Sequence, residues 1–139
     1  MNASPTDRER RIDPFSTAIA DGTQLIGRLV IAPMFLLTGI AAISDPQKFI
    51  ASSSLPAPAV ALGAAILTEM ICGSLLVIGY RTRLAAGVLA GFTLMTAAMS
   101  HGNLTESTQF AMFWKNLAIA GGLMQIVAVG AGRWSVDFN

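Results

Sequence analysis

Glu69, Lys115, Asn116, His101 and Arg28 each stand inside or at the edge of a long apolar run. A carboxyl and an ammonium in such surroundings can exchange protons, and neighbouring cationic or amide groups can hold an anion or hydrogen-bond a carbonyl oxygen. Glu69 and Lys115 are therefore the catalytic candidates, and Arg28, His101 and Asn116 the ligand-binding candidates. The chain has one histidine and one cysteine, Cys72, too few for a zinc site, a bis-histidine haem site or a C-x-x-C pair. It carries no flavin, haem, zinc or iron–sulfur motif.

The runs that must position these residues are helices. Four are expected: Leu25–Ile43, Ala59–Gly79, Leu84–Ser100 and Phe110–Val129. Each is close to the twenty or so residues needed to cross a bilayer. Glu69 is the only formal charge in the second run and falls near its middle, where a carboxylate must be protonated or paired to avoid a cost of a few kcal/mol (about 2.5–3.5 on insertion scales). Arg28 lies one turn inside the first run, where its side chain can snorkel to the surface. Pro33 should kink that helix. Ser44-Asp45-Pro46 reads as a turn, and 47–58 as a loop. Tyr80-Arg81-Thr82-Arg83 makes the turn between the second and third spans, and Trp134 anchors the tail at an interface.

Hydrophobic residues are 53% of the 139-residue chain and charged residues 12%. A typical soluble domain has about 25% charged residues, so the composition points to an integral membrane protein. A net charge of +1 argues against nucleic-acid binding. Residues 1–23 read as a flexible, mixed-charge tail without the apolar core of a signal peptide, ending in a short interfacial helix near Pro14–Ile19. Residues 24–139 form the four-helix membrane domain. With four spans, both termini share one side, together with Arg8, Arg10, Arg11, Arg81, Arg83 and Arg133, while Lys48 falls on the other. The positive-inside rule places the termini in the cytoplasm.

Residues three and four apart share a helix face. Glu69 shares its face with Ala61, Ala65, Cys72 and Gly73; Lys115 with Ala111, Ala118 and Gly122; Arg28 with Ala32 and Gly39; His101 with Ala98, Leu94, Gly91 and Gly87. Small residues let membrane helices approach closely, and Gly87-x-x-x-Gly91 fits the same logic. These faces are expected to point inward and to bring Glu69 and Lys115 into an ion pair flanked by Asn116, with His101 above and Arg28 beneath. Plainer readings stand beside this: Arg28 as an interfacial anchor, His101 as a loop residue, the pair as a register-fixing contact, Cys72 as packing, and Asn103-Leu104-Thr105 as an accidental sequon.

Gly27-Arg28, Thr38-Gly39, Asp45-Pro46, Thr68-Glu69, Gly73 and Gly79-Tyr80-Arg81-Thr82-Arg83 occur in an order that resembles the DoxX family. So do Gly91-Phe92-Thr93-Leu94, His101, Lys115-Asn116-Leu117, Gly121-Gly122 and Ser135-Val136-Asp137. The resemblance implies a four-helix bacterial inner-membrane protein associated with redox chemistry, since relatives include the small membrane subunit of a thiosulfate:quinone oxidoreductase. A lysine common in the family after the first-span glycine is replaced here by Ala42.

Two functions are open at this level. One is a redox-associated membrane subunit whose pocket takes a quinone or small sulfur anion, working with a soluble redox enzyme. The other is a non-enzymatic scaffold or a small proton-coupled transport subunit, expected to act as a homo-oligomer.

Overall fold

The computed structural model describes residues 14–52, 57–100 and 104–137. His101, Asn103, Ser53, Ser54 and the charged residues Asp7 to Asp13 lie outside the described residues. The described chain is helical: α1 (Pro14–Ser44), α2 (Pro46–Ser52), α3 (Pro58–Ile78), α4 (Thr82–Ser100) and α5 (Ser107–Val129). Four of these are long and apolar enough to cross a membrane: Phe15–Ser44 within α1, and α3, α4 and α5.

Two boundaries differ from expectation. The stretch read as a separate interfacial helix is the start of α1, which runs unbroken for 31 residues. At 1.5 Å per residue that is about 46 Å, well beyond a hydrocarbon core of about 30 Å. The 47–58 loop holds the short helix α2, whose Lys48 amide donates to Asp45 Oδ1 at 3.1 Å.

The helices form a ring. α1 packs on α3, α3 on α4, α4 on α5, and a thinner contact between α5 and α1 closes it. Among the described residues the diagonal pairs, α1 with α4 and α3 with α5, bring no Cα atoms within 8 Å of each other. Close approach of α1 and α3 depends on two glycines. A Cβ at Gly39 would lie 3.0 Å from Met70 Sδ, and one at Gly73 would lie 3.0 Å from a Leu36 methyl.

Packing is uneven along the bundle axis. Ala32 and Phe35 of α1, Cys72 and Leu76 of α3, Ala85, Ala86, Leu89 and Ala90 of α4, and Leu123 and Ile126 of α5 form one dense core. All of them sit toward the end where α3 turns into α4 and where α5 gives way to the tail. The opposite half, between α2 and the middle of the bundle, is where the two Glu69-lined cavities lie.

Candidate functional site

The polar residues of the four spans separate into two places. In the hollow half, Glu69 is half-buried on α3 and lines two cavities. One, of about 330 Å³, lies between α1, α3 and α4 over the foot of α2, with a mainly apolar wall that includes Phe49, Ala65, Phe92 and Met95. The other, of about 210 Å³, is bounded by all four long helices and includes Lys115 and Asn116 of α5. Thr38, Phe92 and Thr96 line both cavities together with Glu69. The Thr38 hydroxyl is shared between the Met34 and Phe35 carbonyls, at 3.0 and 2.9 Å, and Thr96 donates to Phe92 O at 2.9 Å. Hydroxyls in helices satisfy themselves on preceding carbonyls in this way, which leaves their oxygens able to accept from a guest.

Glu69 and Lys115 thus border one cavity, but they do not form the expected ion pair among the described residues. They stand on diagonal helices, with Phe35 and Thr38 of α1 and Phe92 and Thr96 of α4 around the space between them. Lys115 Nζ instead donates to Met112 Sδ at 3.1 Å, one turn back on its own helix.

The face assignments hold for two of the four helices. Ala65, Cys72 and Gly73 beside Glu69 are buried, as are Ala32 and Gly39 beside Arg28. Most of the faces assigned to Lys115 and His101 point outward: Lys115 itself, Ala111, Ala118, Gly91, Leu94 and Ala98 are exposed, whereas Gly122 packs toward Ile31 of α1. The inner face of α4 is Ala86, Leu89, Ala90, Thr93 and Ala97. Gly87 faces Val127 of α5, whereas a Cβ at Gly91 would meet nothing, so the pair is not a joint packing motif within this chain.

Arg28 is in the other place. It is fully buried rather than snorkelling. Its Nη1 donates to Leu76 O at 3.2 Å and its Nη2 to Trp134 O at 2.7 Å. Arg28 therefore joins α1, the end of α3 and the tail, in the dense half, and lines neither Glu69 cavity.

The tail closes around the same point. Gly79 ends α3 in a left-handed conformation (φ 74°), and Arg81 continues the turn at φ 49°. The Asp137 carboxylate accepts from the Arg81 amide at 2.6 Å and the Thr82 amide at 2.7 Å, and the Asp137 amide donates to Gly79 O at 2.7 Å. Asp137 therefore caps α4 from 55 residues away. At the start of α1, Asp21 Oδ1 accepts from the Arg133 amide at 3.0 Å. Burial alone would raise the Asp137 carboxyl, but the Thr82 and Arg81 amides and the Arg28 charge outweigh it and hold the group below the usual carboxylate range.

This latch is absent from the sequence-level site. A signal for it existed: Gly79 to Arg83 and Ser135 to Asp137 were both conspicuous as motifs, and they meet here. Spacing alone gave no reason to join them.

The hollow and the latch sit in a chain with clear relatives. A family model described as DoxX matches residues 23–102. That stretch holds Arg28, Glu69 and the Gly79–Arg83 turn, and it ends before Lys115, Asn116 and Asp137. The chain is 33% identical over 116 residues to Inner membrane protein YqjF of Escherichia coli (strain K12), covering 81% of this chain and 88% of that protein. It is 30% identical over 122 residues to Inner membrane protein YphA of the same organism, covering 81% and 86%. No solved structure matches it.

Proposed function

The chain belongs to the DoxX family and is an inner-membrane protein, and from that premise we propose that it is a redox-associated membrane subunit whose Glu69 pocket binds a quinone. One observation carries the reading. Glu69 stands in the wall shared by a mainly apolar cavity and a more polar one that reaches Lys115 and Asn116. A quinone needs that combination: apolar walls for its ring, and donors for its carbonyl oxygens. A small sulfur anion fits less well, because it would lose its hydration beside a carboxylate with a single nearby cation.

Reduction of a quinone takes two electrons and two protons. The electrons come from a partner oxidoreductase at the membrane, and Glu69 and Lys115 exchange the protons, with Asn116 orienting a carbonyl. His101 and Arg28 were candidates for the same ligand. Arg28 serves it only indirectly, by holding the bundle. In this reading the termini and the α3–α4 turn face the cytoplasm, where the arginines cluster. Reporter fusions at residue 139 and near Lys48 test that orientation.

The pocket is tested by purifying the protein in mild detergent and measuring co-extracted quinone. Binding of a soluble quinone analogue is then followed through the fluorescence of Trp114, one residue from Lys115. Wild type should bind it and Glu69→Gln should weaken binding about tenfold or more, equivalent to about 1.4 kcal/mol. Absence of both retained quinone and analogue binding would falsify the reading. Proton flux through proteoliposomes that disappears in Glu69→Gln, without quinone binding, would establish the transport alternative instead.

A further inference from the structure

A second basic feature lies at the latch end, and the quinone pocket does not use it. A cleft of about 230 Å³ opens between the α3–α4 turn and the bend at Gly130, walled by Arg81, Arg83, Leu84 and Asp137. The glycine makes room for a cation: a Cβ at Gly130 would lie 3.1 Å from Arg83 Nε. Neither arginine forms an ion pair among the described residues, and both are exposed. Asp137 forms no ion pair with either: its carboxylate accepts from the Arg81 and Thr82 amides, and the buried Arg28 charge beside it balances its own, which leaves the two guanidiniums in excess. The same capping fixes the backbone of Arg81 in its left-handed conformation.

Depth and shape narrow what fits. The cleft lies where α3 ends and α4 begins, at the same end of the bundle as Tyr80 and the tail's Trp134, both exposed. Amphipathic rings of this kind mark the level of lipid headgroups. From Leu84 an exposed apolar track descends α4 through Val88 and Met95, at steps of four and seven residues on one face. A guest here has an anionic head beside two guanidiniums and an apolar body running into the hydrocarbon.

We propose that Arg81 and Arg83 bind the phosphate of an anionic phospholipid, with an acyl chain lying along Leu84, Val88 and Met95. Guanidiniums suit phosphate through paired hydrogen bonds. A zwitterionic headgroup gains less, because its ammonium would stand beside two guanidiniums, and the Asp137 carboxylate in the wall is already held by the Arg81 and Thr82 amides. Arginines that only set topology would need no such selectivity, which makes the two roles separable.

The test uses the full chain in detergent. Retention of phosphatidylglycerol and of phosphatidylcholine is compared by native mass spectrometry. The expected result is several-fold preference for phosphatidylglycerol in wild type, lost in the Arg81→Gln, Arg83→Gln double variant and largely kept in the corresponding double lysine variant. Lys48→Gln, at the other end of the bundle, should leave the preference intact. The wild-type preference should also shrink in roughly 1 M salt, where the screening length falls to about 3 Å. Equal retention of the two lipids, or a preference that survives the double glutamine variant, overturns the proposal. So does displacement of the lipid by soluble glycerol phosphate, which would assign the cleft to a free anion. Should the glutamine variant fail to fold, a salt-independent wild-type preference also overturns it.

Discussion

Arg28 and Asp137 show how two charges can serve structure in a membrane protein without touching the candidate pocket. Arg28 gives charge-assisted hydrogen bonds to two carbonyls on different segments. Bonds of this type contribute about 1.5–3 kcal/mol each, so Arg28→Met should lower stability by about 3 kcal/mol, read as a fall in the thermal midpoint of the purified protein. Arg28→Lys should recover only part of it, since one ammonium lacks the planar fork that reaches both carbonyls. Asp137 predicts a pH dependence. Its carboxyl titrates lower in the folded chain than in the unfolded one, where the value is about 3.9. Its contribution is therefore complete above that unfolded value and is lost as pH falls through the lower folded one. Between pH 7 and pH 3, wild type should lose midpoint on the acid side, and Asp137→Asn should start lower, by about 1 kcal/mol for a lost cap, and decline less.

The α3–α4 turn is the element on which the latch depends. At Gly79 a Cβ would fall on the Arg28 guanidinium and on Ser135 Cβ, in a backbone already at φ 74°. Gly79→Ala should therefore destabilise by more than the roughly 1–2 kcal/mol of the left-handed conformation alone, and should free the tail to limited proteolysis. Gly63, in the interior of α3 with open space around its Cβ position, is the control. Gly63→Ala should be neutral or slightly stabilising through helix propensity. An equal loss at both positions would mean that the tail contact contributes nothing. Arg28 and Asp137 act on the same turn, so Arg28→Met and Asp137→Asn should be non-additive when combined, with a coupling of about 0.5–3 kcal/mol in denaturation measurements.

At the scale of the whole molecule, the bundle joins a dense half, where Arg28 and the tail to Asp137 meet, to a hollow half that holds Glu69. Ala65 separates the two demands, because it is buried and lines the apolar cavity. Ala65→Phe should fill that cavity and abolish quinone-analogue binding while the thermal midpoint falls little. A large midpoint loss with binding retained would show that the cavity is packing slack. The ring order also sets the electrostatics of the pocket. Glu69 and Lys115 border one cavity from diagonal helices and form no ion pair among the described residues, where a ring with α3 beside α5 would have brought their helices into contact.

Length and hydropathy were sufficient to define four spans, because a bilayer imposes segment length directly on the sequence. Glu69 was legible as inward-facing because a carboxyl near the middle of a span has few other places to go; Arg28, one turn inside its span, was compatible with a surface anchor as well, and the structure buries it. Which neutral faces turn inward was not legible, since lipid and bundle interior are equally apolar and small residues serve both. The outward stripes of α4 and α5 follow from that. Only the tertiary structure decided which helices are neighbours. That choice separated Glu69 from Lys115, opened the cavities between them, and carried Asp137 across 55 residues to cap α4 beside a buried Arg28.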